Sequence, residues 1–152
     1  MNPKTWLTLE HVVRFGDTDA AGVIHFYNLF RWCHEAWEES LELYGIPSNR
    51  VFPNLNKIAK DLSIALPIVH CEANFFLPLY PGNHLDLELL PKKLDRSSFK
   101  VEIKFKRDKK DVAFGLIQHC AIDLHSRKCC DLPEKIDRWL EASSLNIGVT
   151  PL

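Results

Sequence analysis

The sequence is poor in almost everything that would mark a specialised class of protein. It has almost no net charge: 19 Lys and Arg stand against 20 Asp and Glu, a formal −1. A nucleic-acid coat or a polybasic membrane binder needs a large cationic excess, so no nucleic-acid and no membrane partner is expected. No apolar stretch is long enough for a membrane span or a signal peptide, and Met1-Asn2-Pro3-Lys4 runs straight into a strand-like segment. The five cysteines (Cys33, Cys71, Cys120, Cys129 and Cys130) are odd in number, two of them adjacent, with no C-x-x-C pair. That is a poor disulfide framework and fits a reducing, cytoplasmic setting. Internal repeats, low-complexity tracts and Gly/Ser linkers are missing as well. One domain over residues 1–152 is the expectation, with a core at about 6–142 and a tail at 143–152.

What is there is ordinary globular material: 46% hydrophobic and 26% charged residues. A chain of this size can bury roughly two-thirds of its unfolded surface, so it needs neither a disulfide nor a metal as a staple. Residues 6–14 alternate loosely, Leu7, Leu9 and Val13 against Thr8, Glu10 and Arg14, and read as a strand. Phe15 to Gly22 reads as a loop by its glycines and short carboxylates. From Phe26 to Tyr44 the period becomes helical. Phe30, Cys33, Trp37, Leu41 and Tyr44 recur at steps of three and four, and Leu29, Trp32 and Ala36 widen that face. Asn28, Arg31, Glu35, Glu38 and Glu42 form a narrow polar face, and Gly45 with Pro47 ends the helix. So broad an apolar arc predicts a helix largely enclosed by the rest of the fold.

A loop through Pro53 and Asn54 leads into a second half that reads as β. Strands are expected at 62–68, at 70–77, around Leu85–Leu89, around Phe99–Phe105 and over 112–124, with a turn at Tyr80-Pro81-Gly82-Asn83. Asp131 and Pro133 open a short helix carrying Ile136, Trp139 and Leu140. The order β-α-β-β-β-β-α, with one long helix and a mostly antiparallel sheet, is α+β.

The loop at 15–25 carries the chemistry. Asp17 and Asp19 sit between glycines just ahead of the long helix. Amides at a helix N-terminus are unpaired and partially positive, so they can hold a developing oxyanion. A carboxylate beside them completes the parts for acyl transfer. A plain strand end and helix cap would use the same residues.

Arg14-Phe15-Gly16-Asp17-Thr18-Asp19-Ala20-Ala21-Gly22-Val23-Ile24-His25-Phe26-Tyr27-Asn28, followed by Arg31-Trp32 and His34-Glu35-Ala36, resembles the signature of the 4-hydroxybenzoyl-CoA thioesterase family. The Pro81-Gly82-Asn83 turn and Arg96-Ser97-Ser98-Phe99 also match that family's layout. The resemblance implies a hotdog fold, a sheet wrapped around a long helix, and a cofactor-independent enzyme that hydrolyses an aryl-CoA thioester, a dihydroxynaphthoyl ester foremost. Fatty acyl-CoA or acyl-carrier-protein hydrolysis, and a non-catalytic acyl-binding module, are the alternatives. Carried over by position, Asp19 is the catalytic carboxylate, the Phe26 backbone amide is the oxyanion donor, and Asp17 and Gly22 order the loop. His25, where relatives often have Tyr or Trp, and Tyr27 become positions for substrate contact. Whether Asp19 attacks the thioester or activates water is open, since a carboxylate can do either.

Nine cations against three carboxylates lie between Lys92 and Lys110. Lys92, Lys93 and Arg96 are therefore candidates for the phosphates of coenzyme A, although solvated edge strands carry lysines too. Phe75, Phe76 and Tyr80 could line an aryl pocket, or simply pack. His70-Cys71, His119-Cys120, His125 and Cys129-Cys130 lack the paired spacing of a zinc site, so no metal is expected. A magnesium-binding D-x-D reading of Asp17-Thr18-Asp19 would need a doubly wound sheet, which this β-rich second half does not suggest. Open sheet edges in a lone hotdog predict a homodimer or homotetramer.

Overall fold

The computed structural model describes residues 2–51 and 63–144. The chain starts with one helical turn, α1 (Lys4–Leu7), and a short strand, β1 (Thr8–Val12). The strand expected from residue 6 is therefore shortened. Pro3 stands at φ −55°, already helical, and the Leu7 and Trp6 amides donate to its carbonyl. The long helix α2 spans Tyr27–Tyr44 and stops at Gly45, whose φ of +116° suits glycine and lets its N–H reach the Leu41 carbonyl.

The second half supplies β2 (Ile64–Ala65), β3 (Ile68–Phe75), β4 (His84–Lys93), β5 (Ser98–Arg107), β6 (Lys110–Cys120), β7 (Ile122–Asp123) and the helix α3 (Glu134–Ser144). Five strands form one antiparallel sheet in the order β1-β4-β5-β6-β3, and β2 pairs with β7 in a separate two-stranded ribbon. The strand expected at 62–68 reduces, within the described residues, to the two of β2. That expected over 112–124 breaks at Ala121, whose N–H turns to the Ser97 carbonyl and sends β7 off to β2. The 107–110 turn places Asp108 and Lys109 at φ +50° and +67°, the left-handed pair that a tight hairpin demands. The loop expected at Pro53 and Asn54 and most of the tail at 143–152 lie outside the described residues.

Period-2 patterning puts Leu85, Leu87 and Leu89 of β4 beside Val101, Ile103 and Phe105 of β5, all buried. That face packs on α2 through Leu29, Trp32, Cys33, Ala36, Trp37 and Leu41. Contact is closest at Gly115 of β6: a Cβ there would stand 2.4 Å from the Cys33 sulfur. α3 closes the core from outside, where Trp139 donates to Ser40 Oγ at 3.2 Å and Trp6 donates to Ser143 Oγ at 2.9 Å. The polar face expected on α2 has one exception. Asn28 is buried, because its side chain is a tie to the preceding loop.

Candidate active site

The segment between β1 and α2 is built around Asp17. A 3-10 turn over Phe15–Asp17 buries this carboxylate. One oxygen accepts the Arg14 N–H at 2.9 Å and the other the Arg31 guanidinium at 2.6 Å. The Asp17 carbonyl accepts the His25 N–H and the Asn28 side-chain amide, both at 2.8 Å. Strand end, loop and first turn of α2 are thus pinned to one residue. Arg31 and Asn28, both in the quoted motif, were not assigned a role from sequence. Their links to Asp17 are contacts across fourteen and eleven positions that no periodicity reveals.

Thr18 to Ile24 form a small hairpin on this base, bridged at Thr18 and Ile24 and closed by the Asp19 N–H to the Val23 carbonyl at 2.8 Å. Gly22 takes the left-handed φ of +80° that the reversal requires. Asp19 is exposed at the hairpin's near limb. Its Oδ1 accepts the Ala21 N–H at 2.7 Å, and its Oδ2 has no partner among the described residues. A carboxylate held by one oxygen and open at the other is positioned without being neutralised.

The far limb runs through His25 into α2, with Phe26 as the residue ahead of its first turn. The Tyr27 N–H points to His25 Nδ1 at 3.5 Å, and the Asn28 N–H is taken by the His25 carbonyl. The Phe26 N–H, by contrast, has no acceptor among the described residues. The His25 ring lies 4.7 Å from that of Phe26 and 4.6 Å from that of Tyr27. Beside this helix start, Val23, Ile24 and Phe26 face Phe75, Phe76, Leu77, Pro78 and Leu79 across an apolar cleft of about 380 Å³. The opposite wall is tied down twice: the Ile24 N–H meets the Leu79 carbonyl at 3.1 Å, and Arg107 donates to the Pro78 carbonyl at 3.0 Å and to Asn83 Oδ1 at 2.7 Å. Tyr80 is exposed and does not line the cleft. Under the loop, the His11 ring lies tilted against Trp32 with centroids 4.4 Å apart, and burial holds its imidazole below the usual histidine range.

The structure does not bring every candidate to one place. Lys92 and Lys93 lie at the other end of β4, eight strand steps or more from His84, which is about 26 Å. Lys93 is paired with Asp137 at 2.7 Å, and Arg96 lies 3.7 Å from Asp131. Lys100 and Lys106 of the same cationic run pair with Glu102 and Glu88. Much of the local excess is therefore engaged in surface pairs. No cluster of three or more His, Cys, Asp or Glu side chains able to hold a metal occurs among the described residues. Among the described residues no helix is long and apolar enough to cross a membrane.

The Asp19 carboxylate and the unpaired Phe26 N–H thus stand on the two limbs of one hairpin at the start of α2, and Phe26 also lines the apolar cleft. Residues 13–140 match the sequence profile of the Thioesterase-like superfamily, and the chain belongs to it. Its sheet and long helix are the hotdog arrangement of that family. A 1,4-dihydroxy-2-naphthoyl-CoA hydrolase of Prochlorococcus marinus is 56% identical over 149 residues, 98% of this chain and 96% of that one. Another Prochlorococcus marinus protein, known from a crystal structure, superposes with a TM-score of 0.90 at 53% identity, covering 94% of this chain and 99% of that one. The 1,4-dihydroxy-2-naphthoyl-CoA thioesterase of Synechocystis superposes with a TM-score of 0.77 at 28% identity, covering 88% and 94%.

Proposed function

We propose that the protein hydrolyses 1,4-dihydroxy-2-naphthoyl-CoA to 1,4-dihydroxy-2-naphthoate and free coenzyme A, a step of phylloquinone biosynthesis. The observation that carries this reading is the near full-length identity to hydrolases of that name, joined to an apolar cleft at the helix start. The flat bicyclic acyl group lies between Phe26 and the Phe75–Pro78 wall, where aromatic faces offer area without polar groups to desolvate. That places the thioester carbonyl at the start of α2. The Phe26 N–H then donates to the carbonyl oxygen as it gains charge, and the helix dipole adds to the same field. The free Oδ2 of Asp19 either attacks the carbonyl carbon or takes the proton of an attacking water, and coenzyme A leaves as the thiol. Attack by Asp19 would leave a mixed anhydride for water to open, and single-turnover hydrolysis in ¹⁸O-labelled water reads where that water enters: ¹⁸O found in the Asp19 carboxylate and ¹⁶O in the naphthoate marks the anhydride route opened at the Asp19 carbon.

Asp17 and Gly22 act as positioning residues in this scheme, since they hold the hairpin that aims Asp19. His25 and Tyr27 flank the Phe26 amide and serve as the rim against the substrate. Lys92, Lys93 and Arg96 serve the coenzyme A phosphates only for a ligand stretched along the sheet or lying across a protomer boundary. A second copy supplies that boundary. Among the described residues β3 pairs only with β6 and its other edge has no partner strand, and Ile68, Val69, Phe75 and Phe76 stand exposed on or beside it. Such an edge invites a like strand, and the homo-oligomer so formed brings two clefts to the shared interface. Thiol release from dihydroxynaphthoyl-, benzoyl- and palmitoyl-CoA tests the substrate. The expected order of kcat/KM places the naphthoyl ester first, and palmitoyl-CoA at the top would overturn it. Light scattering at micromolar concentration tests the assembly, and a fully active monomer would contradict it.

A further inference from the structure

The thioesterase site uses none of the five cysteines, yet two of them meet. β6 ends at Cys120, and the chain returns through a turn in which Asp123 Oδ1 accepts the N–H groups of His125 and Ser126, both at 2.8 Å. Arg127 completes the reversal at φ +59°. The return limb is stitched back by the Asp123 N–H to the Lys128 carbonyl at 2.9 Å and the Cys130 N–H to the Ala121 carbonyl at 3.1 Å, with Ile122 bridged to Cys129. This register sets the Cys129 sulfur 3.5 Å from that of Cys120. Cys129 is exposed and Cys120 half-buried, so one thiol meets solvent while the other waits beneath it.

We propose that this hairpin is a site of reversible oxidative modification, in which a peroxide joins Cys120 and Cys129 as an intramolecular disulfide. A disulfide needs its sulfurs about 2.05 Å apart, so the gap to close is about 1.5 Å, and the limb that must move is an exposed turn. The exposed Cys129 thiolate attacks the peroxide, the O–O bond breaks, and Cys129 becomes a sulfenic acid as one water is released. The Cys120 sulfur then attacks Cys129, the S–O bond breaks, and a second water leaves. Two thiols and one peroxide thus give one disulfide and two waters, the thiols losing two electrons and the peroxide gaining them. A dithiol reverses it by exchange. Cys33 cannot compete, because burial beneath the sheet pushes its thiol up to about 12. The cross-link would tie the end of β6 to the limb that continues through Leu132, itself bonded to the Arg96 carbonyl at 2.9 Å, toward α3.

The test treats the native protein with stepwise hydrogen peroxide, alkylates the remaining thiols, and reads intact mass and tryptic peptides. Wild type and Cys130→Ser should become two hydrogens lighter, with residues 111–127 joined to 129–135, and dithiothreitol should restore both. Cys120→Ser and Cys129→Ser, shown folded by their melting curves, should give no such link. The oxidised wild type should melt a few degrees (~2–5 °C) higher, as closing a short loop implies. Higher oxides of Cys129 without a link, a link that survives Cys129→Ser, or a link between molecules would each overturn the proposal.

Discussion

Two ends of the same sheet have been treated differently. At the Asn83 end, the β1–α2 hairpin spends many of its polar groups on one another, and Asp19 Oδ2 and the Phe26 N–H are among those left without a partner in the described residues. At the Lys93 end, charges are plentiful around a wider cleft, but Lys93, Arg96 and Lys100 are matched with carboxylates. The proposed chemistry therefore rests on polar groups held in place yet left unsatisfied, not on dense charge. Between these ends lies a core so closely packed that β6 needs a glycine against α2.

The contrast is broken most severely at Asp19. Asp19→Asn keeps the shape and the Ala21 tie but removes the charge, and kcat should fall by about 10²–10⁴ with little change in KM or melting temperature. Near-normal turnover would remove the carboxylate from the mechanism. Next is the core's response to acid. His119 is fully buried, its Nδ1 2.9 Å from the Leu66 carbonyl, and burial lowers its pKa to about 4, with His34 adding to the effect. The unfolded chain therefore binds a proton near pH 6.5 that the folded one refuses until about 4. Stability tied to this group is whole above pH 6.5 and lost as pH falls toward 4, on the order of 3 kcal/mol in all. Urea midpoints from pH 7 to 4 should show the slope, and His119→Gln should flatten it.

Gly115→Ala forces a methyl against the Cys33 sulfur and should cost about 1–3 kcal/mol, recovered in part by adding Cys33→Ala. Activity per folded molecule should hold, which separates core from loop. The smallest effect sharpens the comparison within the loop itself. Arg31→Met leaves the buried Asp17 carboxylate without its 2.6 Å partner and should lower stability by about 1–2 kcal/mol. It should lower kcat less than Asp19→Asn does. Equal losses from the two variants would make Arg31 part of the chemistry rather than of its support.

Periodicity made the scaffold readable. Strict alternation in β4 and β5, the three-four spacing of α2 and its Gly45 stop, and the Tyr80–Asn83 turn each carry their own physical signature within a few residues. The G-D-x-D-x-x-G loop was readable as a motif for the same reason: its glycine and its Asx contacts are local. The misread segments depend on distant partners. Trp6 and Leu7 fall within the strand expected over 6–14 yet are helical, with Trp6 anchored to Ser143. The run at 112–124 looks continuous yet breaks at Ala121, because β2 and Ser97 claim its far end.

By itself, then, the sequence determined the class of fold through short-range spacing, and the family resemblance its motif carries singled out the pair of residues on which hydrolysis is proposed to turn. Only the tertiary structure decided that Asn28 and Arg31 converge on Asp17, that Lys92 and Lys93 lie a sheet's length from Asp19, and that Cys120 meets Cys129. Each of those is a through-space distance set by strand register and turn geometry. Residues far apart in the chain become neighbours only once hydrogen bonding and burial have chosen that register.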